Sequence, residues 1–235
     1  MESILITAAG ASSPCASPDL PVALSLPAGD TLASPDDGWR LWRLTEGALR
    51  LDRLDRLDAT GATGGTFIQL LLPGDLVGLE HLTGAVACYR ARALVASRLQ
   101  PVPQPATLGG WPTLAEALRQ QQCRGEDLVR LRSGTAQERF KHLLLLLVPE
   151  ASRLEGDVSV WPLPTLKDMA AIIDTAPETV SRILGHLRRQ HLLDDRQRQV
   201  ASFSPTRLRE VEWPTGMTRT DRNPRQRRAA DAWAA

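Results

Sequence analysis

Cysteine, histidine and lysine are scarce in this chain, and each scarcity removes a class of chemistry. The three cysteines, Cys15, Cys88 and Cys123, are odd in number, far apart and form no C-x-x-C pair. Such spacing argues against a zinc or iron–sulfur centre and for free thiols in a reducing cytoplasm. Four histidines occur in all. A metal-dependent β-barrel enzyme needs two or three of them converging with a carboxylate, and the strand-rich half holds only His81. No G-x-S-x-G nucleophile turn is present. The sequence therefore assigns no catalytic residue, no metal and no cofactor, and reads as a non-enzyme. The longest apolar run, residues 143–148, is six residues, too short to span a bilayer, so no membrane partner is expected. Residues 1–19 lack a basic n-region and a long apolar core, and read as a flexible N-terminus rather than a signal peptide. Lysine is confined to Lys141 and Lys167, so nearly all positive charge is arginine.

What is present suffices for one large or two modest domains: 235 residues, 43% of them hydrophobic. The net charge of +1 is unevenly laid out. Residues 1–112 carry 8 Lys and Arg against 11 Asp and Glu, and residues 113–235 carry 20 against 16. A slightly acidic front and a basic back suit a sensor joined to a nucleic-acid binder.

Residues 22–104 read as short strands: VALSL, WRLWRL, ALRLDRL, TFIQLLL and ARALVAS. The turns between them carry PAGD, SPDDG, DATGATGG and PGD. Strands at this spacing predict a sandwich or barrel. Two features resist simple patterning. In WRLWRL neither alternating face is cleanly apolar, and Leu51 to Asp58 repeats every three residues, which suggests a solvated hairpin. From Thr113 the pattern turns helical, with Leu114, Ala117/Leu118, Gln121, Gly125, Leu128 and Leu131/Arg132 at near-heptad spacing. That spacing predicts a two-helix seam. Thr135-Ala-Gln-Glu138 has the form of a capping box opening the next helix.

Residues 164–194 hold the most informative pattern. Thr165 is placed to cap a helix whose apolar face is Leu166, Met169, Ala170 and Ile173. Asp174-Thr175-Ala176 make a tight turn, and Pro177 suits a first helical position. In the helix that follows, Val180, Ile183, Leu184, Leu187 and His191 are expected to face the core. Glu178, Ser181, Arg182, Gly185 and Arg189 fall on the other side. Carboxylate, hydroxyl and guanidinium in the N-terminal turns are what a helix entering a major groove requires. Residues 192–203 then read as a hairpin wing, and Ser204-Pro205 start a short helix.

LKDMAAIIDTA followed by PETVSRIL resembles the helix-turn-helix of Crp/Fnr transcription regulators. Gly29-Asp30, Leu44 to Leu51 and Leu72 to Gly78 resemble, in order and spacing, that family's cyclic-nucleotide-binding β-roll. The resemblance implies an α+β fold: an N-terminal double-stranded β-helix (β-roll), a long dimerisation helix and a C-terminal winged helix-turn-helix. The implied domains are residues 20–110, 111–133 and 134–213, with a basic tail at 214–235. The implied function is sequence-specific binding of double-stranded DNA as a homodimer at a palindromic site, in the cytoplasm, with RNA polymerase as a partner of an activator. DNA contacts are implied for Thr165, Glu178, Thr179, Ser181, Arg182, Arg188, Arg189 and Arg196.

The ligand motif departs from the nucleotide-binding pattern. Leu79 stands where a ribose-binding Glu belongs, with Glu80 displaced by one, and residues 85–89 bring no cation for a phosphate. Cyclic AMP is therefore not expected. VGLEHLTG…YRARAL is more similar to the cyanobacterial global nitrogen regulator. That likeness implies a 2-oxoglutarate-like or other small effector near Gly78, Leu79, Glu80, Tyr89 and Arg90. The alternative is a winged-helix DNA binder whose roll is a structural or protein-docking module.

Overall fold

The computed structural model describes residues 23–32, 41–54, 65–79, 89–102, 111–149, 152, 158–194, 199–211 and 213. Seven strands come first: β1 (Leu24–Leu26), β2 (Leu41–Glu46), β3 (Leu49–Leu54), β4 (Gly65–Leu71), β5 (Leu76–Val77), β6 (Tyr89–Ala93) and β7 (Ser97–Val102). Two helices follow, α1 (Trp111–Arg132) and α2 (Ala136–Leu147). The chain then runs β8 (Ser159–Pro162), α3 (Leu166–Ile172), α4 (Pro177–Arg189), β9 (Leu193–Asp194), β10 (Val200–Phe203) and α5 (Pro205–Arg209). No described helix is long and apolar enough to cross a membrane.

The first seven strands form two antiparallel sheets, ordered β1-β7-β2-β5 and β4-β3-β6. Between them lies an apolar core built from Leu26, Trp42, Leu44, Leu49, Leu71, Ala93 and Leu99. The turn from β2 to β3 needs glycine. Gly47 has φ +91, and a Cβ there would collide with Ser97 Oγ and Ala96 O.

The two awkward sequence patterns now have physical explanations. In β2, Trp42 and Leu44 enter the roll core, while Leu41 packs against Ala117 of α1. The strand is covered on both faces, so neither face needs to be polar. The period-three repeat is corrected more sharply. Its first part is the middle strand β3, not a solvated hairpin, and Asp52 is only 2% exposed. Leu49 and Leu51 point inward and Arg50 and Asp52 outward, so a period of two is hidden in the repeat.

α1 is bound to the roll by polar side chains one helical turn apart. Glu116 pairs with Arg43, Gln120 with the backbone of Leu76, and Arg124 with Asp75. Leu131 turns into the core and Leu128 packs against it, so the lower end of the expected seam serves the protomer's own core. On the far side Leu114 (44%), Leu118 (63%) and Val129 (63%) are exposed. The expected capping box opens α2: Glu138 N donates to Thr135 Oγ1 at 3.2 Å, and Thr135 N donates to Glu138 Oε2 at 2.8 Å.

Candidate nucleic-acid interface

Three short strands (order β8-β10-β9) and helices α2 to α5 make the C-terminal unit. Its core is Phe140, Leu143, Leu144, Met169, Ile172, Ile173, Ile183, Leu187, Phe203 and Leu208, all nearly fully buried. The α3–α4 turn forms as the sequence predicts. Asp174 takes φ 52, a conformation Asp accepts better than most residues. Thr175 N donates to Ala170 O at 2.9 Å across the turn. Arg139 of α2 fixes it from below, its Nη1 donating to Ile173 O at 2.7 Å, and Arg132 lies 3.6 Å from the Asp174 carboxylate.

α4 buries Val180, Ile183, Leu184 and Leu187 and exposes Glu178, Ser181, Arg182 and Arg189. Glu178 occupies the first turn, where a carboxylate suits the helix dipole. Pro177 sits at the start, with no side-chain cap from Ala176. On the flank, the ring of Trp213 lies 5.6 Å from that of His186. Arg188 is exposed beside Arg207, His191 and Asp194, at a surface hollow of about 400 Å³ between α4, the wing and α5. Arg207 is a basic neighbour of the reading helix that helix periodicity could not show.

Several sequence expectations need correction. Thr179 is buried, because it falls a turn before Ile183 on the inward side of α4. His191 is exposed with φ 52, because the helix ends at Arg189 and the chain reverses there. Thr165 caps α3 as predicted, and its hydroxyl also donates to Asp168 Oδ2 at 2.8 Å, so that proton is not free for a phosphate. Arg196 lies outside the described residues.

The roll holds a cavity of about 270 Å³, lined by Leu51, Ile68, Gln69, Leu71, Leu76, Val77, Gly78, Leu79, Tyr89 and Gln121 of α1. It brings together three of the predicted effector residues, Gly78, Leu79 and Tyr89. Arg90 is not with them. Tyr89 and Ala91 face inward on β6, and alternation turns Arg90 outward, opposite Asp52. Its guanidinium lies beside Gly65 on that outer face. Glu80 lies outside the described residues.

That outer face carries a charge cluster that sequence reading missed. Asp168 of α3 accepts from Arg50 Nη1 at 3.1 Å and also from Arg92. Arg50 Nε donates to Asp52 at 2.9 Å. Burial disfavours the Asp168 carboxylate. Hydrogen bonds from Arg92 and Thr165, the Arg92 charge and a bond from Arg50 together outweigh that and hold it below the usual carboxylate range. No metal-binding cluster of His, Cys, Asp or Glu occurs among the described residues.

A helix-turn-helix with a wing, carried behind a cyclic-nucleotide-binding-like β-rich domain, defines a DNA-binding transcription regulator. Comparison with known proteins agrees. Residues 138–211 match the Crp-like helix-turn-helix domain family. Over 177 residues the chain is 28% identical to transcriptional regulator SdrP of Thermus thermophilus, covering 71% of this chain and 82% of that one. Among solved structures it resembles TTHA1359, a CRP/FNR-family transcriptional regulator, also of Thermus thermophilus. There the TM-score is 0.59 and the identity 25%, over 80% of this chain and 97% of that one. FixK2 of Bradyrhizobium japonicum shares the fold, with TM-score 0.60 and 20% identity over 83% and 98% of the two chains.

Proposed function

We propose that this chain is a Crp/Fnr-type regulator that binds an inverted-repeat DNA site as a homodimer, without dependence on cyclic AMP. The observation that carries the reading is the outer face of α4. Glu178, Ser181 and Arg182 stand exposed in its first two turns while its apolar side is fully buried. Glu178 is suited to accept from a cytosine N4 and Arg182 to donate to guanine. Arg188, Arg189 and Arg196 are assigned to phosphates, which position without reading sequence.

Dimerisation is supported by the exposed apolar stripe on α1, which the roll leaves uncovered. Independence from cyclic AMP is supported by the cavity. Its described lining holds no cation, and a cyclic phosphate without a guanidinium loses its charge-assisted bonds. The same lack, with Arg90 turned outward, weighs against a 2-oxoglutarate-like dicarboxylate and favours a small uncharged ligand. The test is a binding selection on randomised DNA with the purified protein. An inverted repeat with half-sites about 34 Å apart is expected, unaltered by cyclic AMP. Enrichment of no sequence would overturn the reading.

A further inference from the structure

The roll and the helix-turn-helix meet through charge at the carboxylate of Asp168. On the β3–β6 ladder Arg50 lies opposite Arg92, and Asp52 opposite Arg90, on the face turned away from the roll cavity. Asp168, in α3, reaches this face from 118 and 76 residues away in sequence. It accepts from both Arg50 and Arg92 while Thr165 donates to its other oxygen. It is only 5% exposed, and Arg50 only 8%. Arg50 is shared between two carboxylates, Asp52 and Asp168, and Arg92 bonds to Asp168. Removing Asp168 would take from Arg50 and Arg92 the carboxylate that they share.

Apolar packing also joins the halves, since Phe67 and Leu70 of β4 share a core with Phe140 and Leu144 of α2. That packing is non-directional, whereas a carboxylate gripped by two guanidiniums fixes an angle. The covalent link does not fix it. Between α1 and α2 stand only Ser133, Gly134 (φ 80) and Thr135, all outside helix.

We propose that Asp168, held by Arg50 and Arg92, is a positioning residue that sets the orientation of the helix-turn-helix on the roll, and through it the half-site spacing the dimer reads. The inference rests on the function proposed above. α3 carries Asp168 and packs directly on α4, so turning α3 turns the reading helix. With the clamp closed, Glu178, Ser181 and Arg182 remain exposed. The clamped state thus presents the reading face to solvent. Two heads must sit at one separation to engage two half-sites together. A head so oriented for only a tenth of the time costs about tenfold in apparent affinity.

The test uses the full chain with Asp168→Asn, Arg92→Gln, the double variant, and Arg92→Lys as a gentler change that keeps the charge. Backbone hydrogen exchange is followed on free protein. Affinity is measured on operators that share half-sites and differ in spacing. Asp168→Asn and Arg92→Gln should each exchange faster over residues 166–172, bind the preferred operator about tenfold more weakly, and discriminate less between spacings. The double variant should be no worse than Asp168→Asn alone, because the Arg92 ion pair is already lost with the carboxylate. Arg92→Lys should fall between. Unchanged spacing preference in the single variants, or losses that simply add in the double one, would overturn the proposal. If the wild type enriches no DNA, the proposed function fails, and exchange over residues 166–172 alone decides whether the clamp orders the head.

Discussion

Gln120 gives its whole side-chain amide to one residue of the roll: its Nε2 donates to Leu76 O at 2.9 Å and its Oε1 accepts from Leu76 N at 2.7 Å. β5 lies at the edge of its sheet, so one side of Leu76 would otherwise have no partner. The amide acts as one residue of a missing strand. Gln120→Ala would leave a buried N–H and C=O unsatisfied, at a cost of about 1–3 kcal/mol each. Thermal or urea unfolding of the variant should show the loss, and a midpoint matching wild type would refute it.

The exposed stripe on α1 makes a prediction about assembly. Leu118 is 63% exposed, so Leu118→Glu should fold normally. It should nonetheless abolish the dimer. Light scattering and circular dichroism together decide this: a helical, cooperative monomer is expected, and an intact dimer would place the interface elsewhere.

A third expectation concerns acid. Glu138 sits below the usual Glu range because it accepts from the Thr135 backbone and hydroxyl. A carboxyl lowered in the folded state stabilises above its unfolded pKa and loses that contribution as pH falls through the folded one. Thr135→Ala should cost about 1 kcal/mol at neutral pH. The gap from wild type should narrow as pH drops below the ordinary Glu value. A gap that stays constant into acid would show that the capping box is not what the mutation removes.

The reading face can be divided by mutation. Glu178→Ala should lose about 1–3 kcal/mol of discrimination at one base pair per half-site, with non-specific affinity nearly kept. Arg189→Ala should weaken all sequences alike. A randomised half-site selection separates the two, and an unchanged base preference in Glu178→Ala would dismiss Glu178 as a reader.

The tail offers a further measurement. Residues 214–235 hold five arginines. If they touch phosphates, their deletion should flatten the log–log salt dependence of DNA binding by up to about 0.9 for each phosphate released. An unaltered slope would leave the tail a solubilising role only.

The reading half was legible because its signals are local. The cap at Thr165, the left-handed Asp174 and the 3.6-residue period of α4 each lie within one or two turns of sequence. The roll was legible through its short strand runs and the order of its glycine turns, while β2, covered on both faces, shows no alternation. The pairing of Arg50 and Arg92 with Asp168 was not legible at all. Its members are scattered through the chain, and a solvated strand edge would show the same charged letters. Arg90 was misplaced for a related reason: one residue of register decides inward from outward, and no local signal set the register of β6.

The three ties of α1 at Glu116, Gln120 and Arg124 make this helix a phase ruler. Its upper turns are keyed to the roll, and its last turns, through Asp127 beside His142 and through Leu131, are keyed to the reading unit. One extra residue at Gly125 would lengthen the helix by only about 1.5 Å, yet rotate everything downstream by about 100°. Four extra residues would overshoot a full turn by about 40°, and seven would fall about 20° short of two turns. By the same arithmetic, an insertion of about seven or eleven residues would leave the aim of everything downstream within about 20° of its present setting.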